Sequence, residues 1–504
     1  MNRKLACSVL MTVAACLATP AFAEPAEPLT EEKAGEVRGA CGYPNTGILD
    51  ATAVASVDEL ARRLPNRGTP QIVYGARLPD ADMRPHASVL ERTCFHSSTF
   101  EGSNWDGVSV TGLTFVRSNL SGAKMRGANL NAARFVGVNL SGADLSGASL
   151  RGGQWIGAHW ESSLAGTRFT GAQLESFVFT CSIVMSESCG TEATQFTGAN
   201  FRGADLSQLP VYGGDDFRGA QFDLTVIDLR ALAHLDKSVQ FSGPVYVYKG
   251  ADTDPVQREV AEFSPEDIAE IRRHIVSPET RDRASFACAK ARSRVEKLVC
   301  GEWAHELREA DRLLAKAYTE ALARGITTAA EQQRWLAQRD RCEDTQCIET
   351  AYAARTDKLL GRLGPGDTMA PGSTRTFVEP ALELAPAFRQ TALYRRMAEP
   401  LRVSAFQSAT LRMHGDGSIS ASGEAIGGNA HMCSFGVDRA RFDPATGWYS
   451  AQAAGGQMVP LFRLVGDRLV FRYSGNTGDT PDAAMDYLSC GARVGFSPMV
   501  ALLP

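Results

Sequence analysis

The stretch GANLNAARFVGVNLSGADLSGASL, residues 127–150, carries a bulky apolar residue at every fifth position: Leu130, Phe135, Leu140, Leu145 and Leu150. The same spacing runs unbroken from Phe100 through Trp105, Val110, Phe115, Leu120 and Met125, and continues to Trp155 and Trp160. Two residues before most of these positions sits a small one. A period of five matches neither the 3.6 of a helix nor the 2 of a strand, so one amphipathic face cannot account for it. A tight coil with four five-residue sides can. Large residues then stack inside, small ones take the second inward position where backbones approach, and Gly, Ser, Asn and Asp turn the corners. Each coil adds about 4.8 Å, the spacing of hydrogen-bonded strands, which predicts a rod about 30–40 Å long.

The units Ala128-Asn129-Leu130, Ala143-Asp144-Leu145, Ala199-Asn200-Phe201 and Ala204-Asp205-Leu206 resemble those of the pentapeptide-repeat family, which read A-(D/N)-L-x-x. The resemblance implies a right-handed quadrilateral β-helix over residues 71–232. Earlier units stand at Leu78, Met83, Leu90 and Phe95, and after Trp160 the register slips by one to Leu164, Phe169, Leu174 and Phe179. An interruption, CSIVMSESCGTEATQ (181–195), precedes Phe196, Phe201, Leu206 and Val211, and the last units are Phe217, Phe222 and Ile227. Stacked coils leave open ends that must be covered. Residues 24–70 are the expected N-terminal cap, with a helix in SVDELARRL from Ser56 and a tie from Cys41 to Cys94.

The N-terminus sets the compartment. Arg3 and Lys4 precede an apolar run from Leu5 to Leu17 and then Ala21-Phe22-Ala23, the pattern of a cleaved signal peptide over residues 1–23. The competing reading is a lipoprotein anchored at Cys16 of Val13-Ala14-Ala15-Cys16. Later in the chain no apolar run reaches the ~20 residues that span a bilayer, so the expected protein is periplasmic or secreted, with no transmembrane segment. Some pentapeptide-repeat proteins use an acidic rod to mimic DNA and act on topoisomerases. Export separates this chain from such enzymes, and no nucleic-acid partner is expected.

Ten cysteines follow the signal, an even number that reads as disulfides in an oxidising compartment. They group as Cys41 with Cys94, Cys181 with Cys189, the four Cys288, Cys300, Cys342 and Cys347, and Cys433 with Cys490. Charge is uneven: residues 24–280 hold 22 Lys+Arg against 32 Asp+Glu, whereas residues 281–363 hold 16 against 13. The acidic character belongs to the first half of the chain.

Residues 233–280 read as a connector, with a strand in SGPVYVYKG and a helix in SPEDIAEIRRHI that Ser264 can cap ahead of Pro265, Glu266 and Asp267. Residues 281–363 read as a bundle of short antiparallel helices. In the first, Leu307, Ala310, Leu313, Leu314, Ala317, Ala321 and Leu322 form one stripe ended by Gly325. The second runs from near Thr328 to about Arg341, and the third follows Cys347. Antiparallel packing would bring Cys342 and Cys347 to the end of the bundle where the first helix starts after Cys300. The expectation is that both late cysteines pair with Cys288 and Cys300.

The set SFACAKARSRVEKLVC, WLAQRDRC, Cys347 and AYAARTDKLL resembles the lysozyme-inhibitor LprI-like domain. The matching positions include Phe286, Trp335, Arg339, Asp340, Tyr352 and Arg355 beside the four cysteines. The resemblance implies binding, and inhibition, of a lysozyme. The plainer reading makes Trp335 a core anchor and gives Arg339 and Asp340 a salt-bridge and capping role. Glu343, Asp344, Thr345 and Gln346, held between two cysteines, are the candidate partner contact.

Residues 364–375 are a Pro/Gly-rich linker, and 376–504 alternate in short runs broken by turn residues. They predict a small antiparallel barrel or sandwich closed by Cys433 and Cys490. The fold class is therefore multidomain β plus α. Nothing in the chain supplies a nucleophile with a base and an orienting group, a phosphate loop or a carboxylate pair; Asp215-Asp216 sits in a turn. No metal site is expected, since His305 is the only imidazole near the bundle cysteines, and no cofactor. The expected function is that of an exported, non-catalytic protein-binding protein, with a lysozyme as the implied partner. The alternative is a structural scaffold of the cell envelope without lysozyme activity. The sequence leaves the oligomeric state open.

Overall fold

The computed structural model describes residues 27–502, except 65–68, 158–161, 182–190, 192, 210–214, 249–258, 277–282, 303, 366–368, 380–381, 428–430, 474, 476–479 and 492–493. The signal segment with Cys16, and Trp160, Cys189 and Val211, lie outside the described residues.

The period-five stretch forms a solenoid. Its longest side is a parallel sheet of β1 (Ile48–Asp50), β2 (Gln71–Tyr74), β3 (Thr93–His96), β4 (Thr114–Val116), β5 (Arg134–Val136), β6 (Gln154–Gly157) and β7 (Val178–Cys181), hydrogen-bonded in chain order. Phe95, Phe115, Phe135 and Trp155 stand in register from strand to strand, so one coil takes 20 residues, four sides of five. Isolated parallel bridges repeat the step on other sides, as in Asn104 to Lys124 to Asp144. Inside, Phe115 stacks between Phe95 and Phe135 with ring centroids 5.5 and 5.7 Å apart. Ala123, Ala128, Ala133, Ala143 and Ala148 are buried at the second inward position. The need for a small residue there is clearest at Gly153, where a Cβ would lie 2.7 Å from the Ala133 carbonyl oxygen and 2.9 Å from the Phe177 ring. The corners are left-handed, as at Gly142 and Gly147, both with φ of 68°.

Two helices finish the N-terminal part. α1 (Glu31–Cys41) lies along the sheet face, and its Val37 and Cys41 pack on Ile72, Tyr74, Cys94 and Val116, joined by the Cys41–Cys94 disulfide. The disulfide thus staples a side helix that the sequence did not reveal. α2 (Val57–Arg63), capped by Ser56, puts Val57 and Leu60 into the solenoid core.

At the other end the coil does not stop at residue 232. β8 (Gln221–Phe222) and β9 (Thr225–Val226) are followed by β10 (Gln240–Phe241), parallel to β8, and β11 (Val245–Tyr248), parallel to β9. β12 (Val260–Phe263) returns antiparallel to β11, and α3 (Pro265–His274) follows with a capping box between Ser264 and Asp267. β10, β11, β12 and α3 are accordingly the first half of the solenoid's C-terminal cap, within the span 233–280 expected as a connector. Val245, Val247, Phe263, Ile268 and Ile271 share the solenoid's core.

The chain then leaves to build the helical bundle: α4 (Arg294–Val299), α5 (His305–Ala323), α6 (Ala329–Arg339) and α7 (Thr345–Leu363). Its core gathers Val295, Val299, Leu307, Leu314, Ala317, Ile348, Tyr352 and Leu359. Both disulfides here are local: Cys288 joins Cys300, 12 residues on, and Cys342 joins Cys347, five residues on. This overturns the expected cross-pairing of early with late cysteines. Cys288 starts a short 3-10 turn that folds back on the end of α4, and the α6–α7 corner brings its own two cysteines together with Cα atoms 5.5 Å apart. Each pair is thus brought together by its own local turn.

β13 (Thr374–Val378), which begins inside the expected linker, opens the barrel. The chain next returns to the solenoid. Ile275 and Leu384 pair antiparallel, and α8 (Ala392–Ser404) sets Tyr394 and Met397 into the solenoid core beside Leu382, Leu384 and Phe388. Residues 382–404 are thus the second half of the cap, although the sequence places them in the β domain. The barrel then completes with β14 (Gln407–Met413), β15 (Ile419–Ile426), β16 (Met432–Asp443), β17 (Trp448–Gln452), β18 (Met458–Val465), β19 (Arg468–Phe471), β20 (Leu488–Cys490) and β21 (Met499–Ala501). Eight strands close in the order β15-β14-β13-β21-β19-β18-β17-β16 and back to β15, all antiparallel, with β20 on the free part of β16 beside the Cys433–Cys490 disulfide.

Candidate functional site

The residues that carried the four-cysteine resemblance come together inside the bundle. Trp335 is half-buried and meets the Tyr352 ring edge-on at 5.5 Å. Arg339 is buried, donates to the Tyr352 hydroxyl at 3.1 Å and pairs with Asp340 at 2.6 Å. The Tyr352 hydroxyl in turn donates to buried Asp311 at 2.9 Å, which also accepts from the Ser285 amide. Burial, with the Asp311 charge beside it, holds the Tyr352 phenol well above its ordinary range, so it stays protonated and donates. Arg355 reaches Gln332 and Thr327. These polar groups satisfy one another across α5, α6 and α7, the arrangement that makes a buried network rigid rather than costly.

The candidate contact Glu343–Gln346 is exposed but is less of a loop than its sequence suggests. Asp344 is the N-cap of α7, accepting from the Cys347 amide at 2.8 Å, and Thr345 and Gln346 already belong to that helix. Its carboxylate is therefore partly committed, and Glu343 is the freer of the two. Of the remaining singled-out groups, Asp215 accepts from the Thr194 amide while Asp216 pairs with Arg218, so the two carboxylates do not converge. Cys181 is disulfide-bonded, and its expected partner Cys189 lies outside the described residues. Among the described residues no group of three or more His, Cys, Asp or Glu is placed to hold a metal ion, and no helix is long and apolar enough to cross a membrane.

What the sequence did not reveal is the junction. Asp357 on α7 accepts from Arg463 at 2.6 Å and from the Trp448 indole at 3.2 Å, and the Arg463 guanidinium lies 4.0 Å over the Trp448 ring. Burial pushes Arg463 down to about 10, against the pull of Asp357. Gly361 and Gly447 let the backbones touch: a Cβ on Gly361 would sit 2.6 Å from the Pro444 carbonyl oxygen. Val465 of the barrel even joins the bundle's core. Bundle and barrel form one head.

The β18–β19 turn gathers the remaining contacts. Asp467 pairs with Arg389 from the cap and Lys316 from α5, and Arg468 reaches Glu309 on α5 at 3.7 Å and Glu383 of the cap at 3.3 Å. Three modules are thus tied through two adjacent residues. Between them lies a cleft of about 500 Å³ whose walls come from α5, the barrel and cap residues such as Leu382, Leu384, Arg389 and Leu401. Gly466-Asp467 was legible as a hairpin turn, but its partners are 78 or more residues away in sequence and carry no local signal.

Compared with known families, residues 93–131 and 114–152 match the model described as pentapeptide repeats, with eight copies. This part of the chain is a pentapeptide-repeat solenoid. Solved structures similar to it include a trypsin-treated variant of QnrB1, a plasmid-mediated fluoroquinolone resistance protein, at 17% identity and a TM-score of 0.21 over 35% of this chain and 84% of that one. HetL of Nostoc sp. strain PCC 7120, a pentapeptide-repeat protein involved in heterocyst differentiation regulation, matches at 18% and 0.17 over 34% and 82%. A pentapeptide-repeat protein of the Arabidopsis thaliana thylakoid lumen matches at 27% and 0.13 over 23% and 65%. No curated protein matches the chain.

Proposed function

We propose that this chain is an exported, non-catalytic protein-binding scaffold in which the pentapeptide-repeat solenoid holds the bundle–barrel head at a fixed position. The junction carries this reading. A head locked by Asp357, Arg463, Trp448 and the Asp467–Arg468 turn presents its exposed α6–α7 corner without the entropy cost of ordering a flexible tether. The rod's charge also fits a structural part: Asp106 pairs with Arg126, Asp144 with Arg168 and Glu175 with Arg151 on successive coils. Its acids are largely spent on neighbouring arginines, unlike the bare acidic face a DNA mimic needs. Disulfides in the rod, bundle and barrel, together with the signal-like N-terminus, support export.

The finer reading is inhibition of a lysozyme through the four-cysteine bundle. Glu343 and Asp344, exposed at the disulfide-closed corner, are the local acidic patch that a basic enzyme would meet. The full chain added to lysozyme acting on cell-wall substrate tests it. Inhibition that weakens in Glu343→Gln with Asp344→Ser supports the reading, Ser being chosen because it can still cap α7. Full activity at micromolar excess, with no heat of binding by calorimetry, leaves the envelope scaffold and removes the inhibitor.

A further inference from the structure

The start of the bundle carries positive charge that its own carboxylates do not neutralise. Arg283, Lys290, Arg292, Arg294 and Lys297 are all exposed and fall within 15 residues of sequence. Among the described residues none of the five lies within salt-bridge distance of a carboxylate. The rod differs: Arg126, Arg151, Arg168 and Arg218 each hold an acid at 3.2 Å or less. The cationic stretch contains one carboxylate, Glu296, and its Oε2 is committed to the Arg292 and Ser293 amides at 2.6 and 3.1 Å, within the capping box of α4.

The backbone beneath these charges is fixed. The 3-10 turn Cys288–Lys290 and α4 are joined by the Cys288–Cys300 disulfide. Arg294 and Lys297, three residues apart on α4, stand away from Val295 and Val299, which are buried in the bundle core.

The residues between the cations decide what kind of partner fits. Those exposed are small, Ser285, Ala287, Cys288 and Ala289, and no large apolar side chain of this stretch is exposed. A protein interface draws its energy from a few desolvated anchors, often aromatic, and none is offered here. None of the five cations lines the junction cleft, so no pocket on this side encloses a small anion with them. Lipid headgroups are mobile, and each cation can meet one without a matching surface. Each Lys or Arg held near an anionic leaflet strengthens attachment about fivefold.

We propose that residues 283–297 are a peripheral docking surface for the anionic phospholipid headgroups of a bilayer. Attachment is by charge alone. Residues 24–280, with 22 Lys+Arg against 32 Asp+Glu, are repelled by the same leaflet, which confines contact to the head. This surface does not require a lysozyme partner.

The test is co-sedimentation of the full chain with vesicles of phosphatidylcholine alone, or of equal parts phosphatidylcholine and phosphatidylglycerol. Binding is expected only to the anionic vesicles. It should be present at about 0.1 M salt, where charges are felt over about 10 Å, and lost at about 1 M, where that falls to about 3 Å. Arg294→Gln with Lys297→Gln keeps the core valines and the capping box of α4 and should weaken binding about 30-fold. Arg294→Lys with Lys297→Arg should bind as the parent does. Arg324→Gln with Lys358→Gln removes the same charge near the C-terminal ends of α5 and α7 and should change binding less than about threefold, since the 19 residues of α5 alone span about 28 Å. Equal binding to neutral and anionic vesicles, or equal losses in the two Gln pairs, would overturn the proposal. So would tighter binding to a DNA duplex or to polyglutamate at the same charge concentration, which would assign the patch to another polyanion.

Discussion

The return of residues 382–404 to the solenoid makes a prediction that a barrel assignment for the same residues would not. Met397 on α8 is fully buried, and its core is that of the solenoid, shared with Val245, Val247, Phe263 and Ile271. Arg396 beside it donates to the Glu262 carbonyl at 2.7 Å and pairs with Asp267 at 3.1 Å, fixing α8 against β12 and α3. Truncating a buried methionine to alanine costs about 2–5 kcal/mol, and the lower half of that range suits a site at the end of a rod that can relax, so about 3 kcal/mol is expected for Met397→Ala. At about 1.4 kcal/mol per factor of ten, opening of the cap becomes about 100-fold more frequent. Hydrogen exchange followed by mass spectrometry should show that acceleration in peptides covering β11, β12 and α3, which exchange through cap opening. Peptides from β14 to β16 should be unchanged. If the acceleration fell on the barrel strands instead, or stayed below threefold at the cap, the assignment of α8 to the solenoid would be wrong.

Three further outcomes follow from the same contacts. In the loop-entropy account, replacing Cys41 and Cys94, which close 53 residues, should cost about 4 kcal/mol by urea unfolding, whereas replacing Cys342 and Cys347 should cost about 2 kcal/mol; equal losses would contradict the local pairing. Gly361→Ala pushes a Cβ into the Pro444 carbonyl and should cost about 1–3 kcal/mol, seen as faster exchange in the end of α7 and the 443–449 segment with the solenoid unaffected. The hydrogen bonds of Arg218 hold the Asp216 carboxyl down at about 2, and Arg126 likewise lowers Asp106. Because these folded-state values are depressed, their stabilisation is full above the unfolded value of about 3.9 and is lost as pH falls towards 2, so the melting temperature should drop across that window and drop less in Arg218→Ala.

The solenoid was legible because each coil rebuilds the same interior, so one geometric constraint is printed many times: a large residue at the stacked position, a small one at the close approach. Phe95, Phe115 and Phe135 stand in register for that reason. The bundle helices were legible from apolar stripes and caps; Thr328 caps α6 as its sequence position suggests. The cysteine pairing was not, because a 3-10 turn of three residues at Cys288–Lys290 decides it, and such a turn has no periodicity to detect. Asp344 read as a contact residue because an N-cap and an exposed acid look alike until the next amide is placed. The cap was hidden for a different reason. Ile275 and Leu384 are paired across the whole bundle and the first barrel strand, and Pro400 inside α8 reads as a breaker. Arg389, Asp467 and Arg468 have no repeat, stripe or turn that ties them to one another.

This threading bears on how the protein's parts can act. A segment ending at residue 276 keeps every coil of the rod but lacks Leu382, Leu384, Phe388, Tyr394 and Met397, all of which belong to its core. Its end would expose apolar surface and strand edges, the condition under which repeat proteins associate non-specifically. The bundle together with β13, conversely, is an insertion whose entry and exit segments are paired side by side at Ile275 and Leu384. A partner pulling on the α6–α7 corner therefore loads the solenoid cap directly, through covalent chain on both sides and through Asp467 and Arg468 between them. Binding by the rod and binding by the head are best separated by point substitutions in the full chain, because cutting the chain between them removes half of the surface that closes the rod.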